Sequence, residues 1–150
     1  MSIKLSILLF VFISIIAFVP SLALAQSPDD ILIIANRDVG DNAISVEVLA
    51  SLFSKERLTW SNGVKVVPIH AKDPVLKTQF LQSVLGLSLA EDQRYWKEQR
   101  IKKGVSPPPE FSNTLKAVFK LKGAVSYLYR AQYRDNVSKI LLVLPVGPVK

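Results

Sequence analysis

An α/β domain, with a mixed sheet covered by helices, is the fold class this sequence predicts. Three observations carry it. "DILIIANRD" (Asp30 to Asp38) is a continuous apolar run between polar ends, the pattern of a strand buried on both faces. Several later stretches switch to helical spacing, each opened and closed by capping residues. Two further apolar runs, "AVSYLYR" (Ala124 to Arg130) and "KILLVLP" (Lys139 to Pro145), read as strands near the end of the chain. Strands interleaved with amphipathic helices pack as a sheet with helices on its faces.

The first helix is expected over "SVEVLASLFSKE" (Ser45 to Glu56), where Val46, Leu49, Ala50 and Phe53 share a face and Ser45 is the N-cap. A turn at Asn62-Gly63 leads into a short strand, Val64 to Ile69. Pro68 marks this strand as an edge or a strand end, because proline cannot donate to a ladder. Asp73 as N-cap and Pro74 at the first helical position start a second helix. Its stripe is Leu76, Phe80, Leu81 and Val84, and Gly86 closes it.

Ser88 and Glu91 form a capping box for a third helix, Leu89 to about Lys102, ended by Gly104. Pro107 to Pro109 enforce an extended loop. Ser112 is expected to cap a fourth helix bearing Leu115, Val118 and Phe119 towards the core, with Gly123 terminating it. The order is β-α-β-α-α-α-β-β, with no internal repeat.

Residues 1–25 read as a signal peptide. Lys4 is followed by the apolar run Leu5 to Val19, and Ala23 to Ala25 supply a small-x-small cleavage pattern. Retention of this run as a membrane anchor is the alternative, but it is short for a full span. Residues 26–150 then suffice for one domain. The chain has no cysteine, so an exported form has neither disulfides nor a lipidated N-terminal cysteine. A protein of the periplasm, with no stable membrane insertion after cleavage, is the expectation.

The formal net charge of +7 drops by one when Lys4 leaves. A basic balance suits small anions, anionic polymers or nucleic acid. No nucleic-acid-binding motif is visible, and a solvated basic surface accounts for most of the charge. The inventory argues against an enzyme. There is no cysteine nucleophile, and the one histidine, His70, has no second histidine with which to share a metal. No nucleophile elbow, P-loop or dinucleotide fingerprint appears. Neither a metal nor a cofactor is expected. Asp29-Asp30 and Glu91-Asp92 fall at element starts, where helix dipoles account for them. Asn136-Val137-Ser138 matches a glycosylation sequon by letters only. Trp96 is expected to anchor its helix to the core, whereas Trp60, before a polar turn, could also line a cleft mouth.

The succession "ILIIANRDV", "SVEVLASLFSKERLTWSNGVKVVPI", "FLQSVLG", "YW", "PP" and "LKGAVSYL" resembles the periplasmic solute-binding proteins of ABC transporters. The nearest branch is the phosphate-binding group, with its type II periplasmic binding fold. Asn36-Arg37-Asp38, Phe53-Ser54-Lys55 through Trp60, and Gly123-Ala124-Val125-Ser126-Tyr127 stand where that family has its recurrent segments. The resemblance covers nearly all of residues 26–150, and it implies a single lobe of a normally two-lobed clamp.

The family's oxyanion loop, rich in hydroxyls and free N–H groups, corresponds to Lys72-Asp73-Pro74-Val75-Leu76-Lys77 here. Pro74 removes a donor, and Asp73 occupies and repels the position an anion needs. By this resemblance the candidate ligand-binding residues are Lys77, Thr78, Trp60 and Ser126, with phosphate or another small oxyanion as ligand and an ABC transporter or other envelope protein as partner. The implied function is a phosphate-transporter substrate-binding-protein-like domain that binds an anion weakly or within an assembly. The alternative is a non-catalytic envelope interaction module that kept the fold and lost the site.

Overall fold

The structure, a computed structural model, describes residues 26–134 and 138–146. The expected signal peptide and the Asn136-Val137 part of the sequon lie outside the described residues. Among the described residues, six strands and four helices follow one another as β1 (Ile31–Ala35), α1 (Val46–Phe53), β2 (Val67–Pro68), β3 (His70–Ala71), α2 (Pro74–Leu85), α3 (Leu89–Lys103), β4 (Glu110–Phe111), α4 (Thr114–Lys120), β5 (Ala124–Tyr129) and β6 (Lys139–Leu144). A 3-10 turn, Arg130–Gln132, follows β5.

The main sheet has the order β2-β5-β1-β6. β1 is antiparallel to both β5 and β6, with Ile33 opposite Tyr127 and Leu142, whereas β2 runs parallel to β5. The sheet is therefore mixed, and Pro68 sits on its edge, where a missing N–H costs no ladder bond. The chain then leaves the main sheet at His70. β3 pairs in parallel with β4 in a two-stranded ribbon, His70 opposite Glu110. The sequence expectation made Pro107 to Pro109 an extended loop, assigned no strand after it and missed this pairing. A two-residue strand after three prolines has no hydrophobic alternation by which to be recognised.

All five residues of β1 are fully buried, and they alternate between two layers. Ile31, Ile33 and Ala35 pack with Leu49, Leu52, Phe53, Leu76, Phe80 and Leu81 from α1 and α2. Leu32 and Ile34 pack with Ala117 and Val118 of α4 and with Ala124 and Leu128 of β5. Period-2 alternation in the strand thus feeds one helical layer on each face. Both clusters are built from residues after Asp30, so a chain beginning at Gln26 carries the whole described core.

The caps follow the sequence except at α4, which ends at Lys120 with Leu121, not Gly123, as its C-cap. Ser45 accepts from Val48 N, Ser88 and Glu91 complete their box, and Gly86 and Gly104 close α2 and α3 in the left-handed region. In α4 the N-cap is Asn113, not Ser112. The Asn113 side chain accepts from Lys116 N, and α4 starts one residue later than a Ser112 cap would place it. The expected core face of α4 is corrected too. Ala117 and Val118 face the sheet and Leu115 is half-buried, while Phe119 turns outward and is 56% exposed.

Gly123 ends the α4 connection at φ +76°, and a Cβ built there would lie 2.0 Å from the Lys65 carbonyl oxygen. The β2 approach strand runs against bare backbone at this point, which only glycine allows.

Candidate functional site

The recess that best answers to a ligand site opens between the starts of α2 and α4. It encloses about 380 Å³ and is bordered by Lys72, Asp73, Ser112, Asn113, Thr114 and Arg134, with Leu76 and Leu128 among its apolar lining. The β3–β4 ribbon brings the two starts together, because Lys72 N donates to Phe111 O across it. Two helix N-termini converging on one recess would ordinarily offer donors and positive dipole ends to an anion.

At α2 those donors are already accounted for. Asp73 Oδ1 accepts from Val75 N at 2.9 Å and from Leu76 N at 3.2 Å. Pro74 has no N–H, and Lys77 N donates to Asp73 O. Every backbone donor of the first turn is thereby either absent or bonded within the turn, and the cap itself carries negative charge. At α4, Asn113 Oδ1 accepts from Lys116 N at 3.0 Å, and Thr114 Oγ1 donates to Tyr127 O at 3.3 Å. Arg134 donates through Nη1 to Ala131 O and Tyr133 O. The recess therefore sets two cations, Lys72 and Arg134, around a fixed carboxylate, an arrangement that can attract an anion only weakly.

The four residues singled out from sequence do not line this recess. Lys77 turns to the ribbon, its Nζ 2.6 Å from Glu110 Oε1. Thr78 Oγ1 donates back to Pro74 O at 2.7 Å, the usual behaviour of a threonine inside a helix. Trp60 is 2% exposed, with its indole N–H donated to Gly123 O at 2.8 Å, so it holds the β2 approach to β5 and lines no cleft mouth. Ser126 is fully buried in β5 and donates to Ile69 O at 2.7 Å, clamping the end of β2. Each polar group is occupied by the fold. Sequence reasoning missed Ser112, Asn113, Thr114 and Arg134, although the run Ser-Asn-Thr before an apolar stripe was a cap signal that pointed to this place.

Behind the recess lies an aromatic cluster. Phe80 and Tyr127 stack at 3.8 Å between centroids, and Phe53 and His70 pack against both. His70 is 1% exposed and its Nδ1 is 2.8 Å from the Tyr127 hydroxyl. Burial, with Lys77 nearby, pushes its pKa down to about 3, so the ring is neutral. Burial likewise pushes the Tyr127 hydroxyl up. The pair is a satisfied core contact out of reach of any substrate. Trp96 is buried as expected, with Asp92 Oδ1 accepting from its indole N–H at 3.2 Å. Asp92 is thus a core residue as well as a first-turn acid, and burial raises its pKa.

The sequence matches no family model and no curated protein. Solved structures do resemble it. An ABC-type phosphate transport receptor from Vibrio cholerae superposes with a TM-score of 0.57 at 14% identity, covering 77% of this chain and 47% of the other. A protein assigned as a phosphate ABC transporter substrate-binding protein, from Clostridium perfringens and with bound phosphate, gives 0.56 at 14% identity, covering 75% and 44%. A possible phosphate binding protein from Planctomyces limnophilus gives 0.52 at 15% identity, covering 75% and 40%. The chain spans less than half the length of each. The fold is that of a single lobe of a periplasmic binding protein, a mixed sheet covered by helices.

Proposed function

We propose that this protein is an exported, non-catalytic substrate-binding-protein-like lobe, akin to those of phosphate ABC transporters. It takes phosphate or a similar oxyanion only weakly, in the recess between α2 and α4, or within an assembly whose other member supplies the missing wall. The observation that carries this is the Asp73 carboxylate on the N–H groups of Val75 and Leu76, at the helix start where the fold has room for an anion. Lys72 and Arg134 remain at the rim to give a weak, salt-sensitive attraction. Sealing of His70 against Tyr127 supports the absence of catalysis.

The apolar run before Ala25 supports export to the periplasm with cleavage ahead of Gln26. Mass spectrometry of the exported protein should find a chain lacking residues 1–25, and a stable full-length form in the membrane fraction would refute export by cleavage. Calorimetric titration of residues 26–150 with phosphate, sulfate and carboxylates at low ionic strength tests the binding. The expected outcome is a dissociation constant of about 1 mM or weaker, near −4 kcal/mol, for the oxyanions. Equal heats for all anions, carboxylates included, would reduce the recess to a nonspecific cationic surface.

A further inference from the structure

The outward turn of Phe119 leaves a feature the binding function does not use. Lys116, Phe119 and Lys120 stand at i, i+3 and i+4, so they share the solvent face of α4, opposite Ala117 and Val118. Phe119 is 56% exposed, and Leu121, at the end of the helix, is 38% exposed beside the exposed Lys122. The Asn36 amide donates to Val118 O at 2.9 Å and Phe119 O at 3.1 Å, which fixes the helix end and holds the phenyl ring outward.

None of these three lysines has an ion-pair partner among the described residues. From Phe111 to Arg134 the chain carries five basic residues and no acidic one. An aromatic ring between unpaired lysines, on the convex outer face of a helix, is the pattern of a surface that rests on anionic lipid.

We propose that the outer face of α4 docks reversibly onto an anionic lipid surface, with Phe119 entering the interfacial layer and Lys116, Lys120 and the adjoining Lys122 meeting headgroup phosphates. Charge complementarity excludes a second copy presenting the same face. A protein partner would need a cluster of apolar anchors in a dry centre, and this face offers one ring among long, flexible cations. Lysine stems can lie along the acyl boundary while their ammonium groups stay at the phosphates.

The test is co-sedimentation of residues 26–150 with vesicles of phosphatidylglycerol and phosphatidylcholine, against phosphatidylcholine alone, over a salt series. Binding should require phosphatidylglycerol and weaken as salt rises. Each of Lys116→Gln, Lys120→Gln and Lys122→Gln should lower partitioning about fivefold, and Phe119→Ser roughly tenfold. All four positions are exposed, so melting should be unchanged. A Phe119→Trp variant should be quenched by brominated lipid, which the buried Trp60 and Trp96 of the parent would not be. Equal binding to both vesicle types, no binding to either, or partitioning indifferent to these substitutions would each overturn the proposal. Binding to an immobilised acidic protein but not to vesicles would overturn it in favour of a protein partner.

Discussion

Lys77 Nζ lies 2.6 Å from Glu110 Oε1, joining the first turns of α2 to the β3–β4 ribbon. This contact turns the first lysine within α2 away from the recess, which keeps Lys72 and Arg134 on its border. The pair is partly exposed, so its own contribution to stability is small, about 0–1 kcal/mol. Lys77→Ala should therefore lower the unfolding free energy of residues 26–150, read from urea denaturation, by no more than about 1 kcal/mol, and it should leave phosphate affinity unchanged. A several-fold loss of affinity would return Lys77 to the site.

Two phenylalanines occupy opposite environments, one in the core and one on the surface. Phe80 is fully buried and stacked on Tyr127, so Phe80→Ala should cost about 3–5 kcal/mol. Without disulfides, that is a large share of the stability expected for a domain of this size. Phe119→Ala, on the outer face of α4, should cost less than about 1 kcal/mol. Chemical denaturation of both variants decides the matter, and equal losses would contradict the assigned faces.

Most of the fold was legible in the sequence because its signals are local. The apolar run of β1, the stripes of α1 and α2, the Asp73-Pro74 start and the Ser88–Glu91 box each declare themselves within a few residues, and each stands in the structure. The face of α4 was not legible. Leu115, Val118 and Phe119 share one face at helical spacing, but so do Thr114, Ala117 and Val118, and the two faces differ by a rotation of about 100° that a seven-residue helix gives little pattern to choose between. The site was less legible still. Whether Ser126 or Trp60 presents its polar group to solvent depends on Ile69 and Gly123, partners 57 and 63 residues away that no periodicity reveals.

Stability should fall in mild acid through His70. Its folded pKa, about 3, lies well below the ordinary value of 6.5, so the unfolded chain takes up a proton that the folded chain refuses. The contribution is complete above pH 6.5 and is lost progressively as pH falls towards 3. At pH 5 the loss from this group is about 2 kcal/mol. Urea denaturation at pH 7 and pH 5 measures it, and a His70→Gln variant should lack this share of the difference, whatever its own stability. An unchanged pH step in that variant would assign acid sensitivity elsewhere.

Backbone proximity at Gly123 gives a further contrast. Gly86 and Gly123 both have positive φ, at 64° and 76°, but only Gly123 has a carbonyl oxygen where a Cβ would stand. Gly86→Ala should cost about 1 kcal/mol, from the left-handed conformation alone. Gly123→Ala should cost several times more, since β2 must move away from β5. Similar thermal shifts for the two variants would mean that the β2 approach is looser than the structure places it.

The central claim is that Asp73 stands where an oxyanion would otherwise be held. It is tested most directly by titrating phosphate, at one low ionic strength, into residues 26–150 and into the same chain carrying Asp73→Ser with Pro74→Gly. Those changes restore an N–H and remove a negative charge at the start of α2, at some cost in helix stability. The parent should bind with a constant of about 1 mM or weaker, and the variant about tenfold more tightly. Micromolar binding by the parent, or a variant that gains nothing, would contradict the claim.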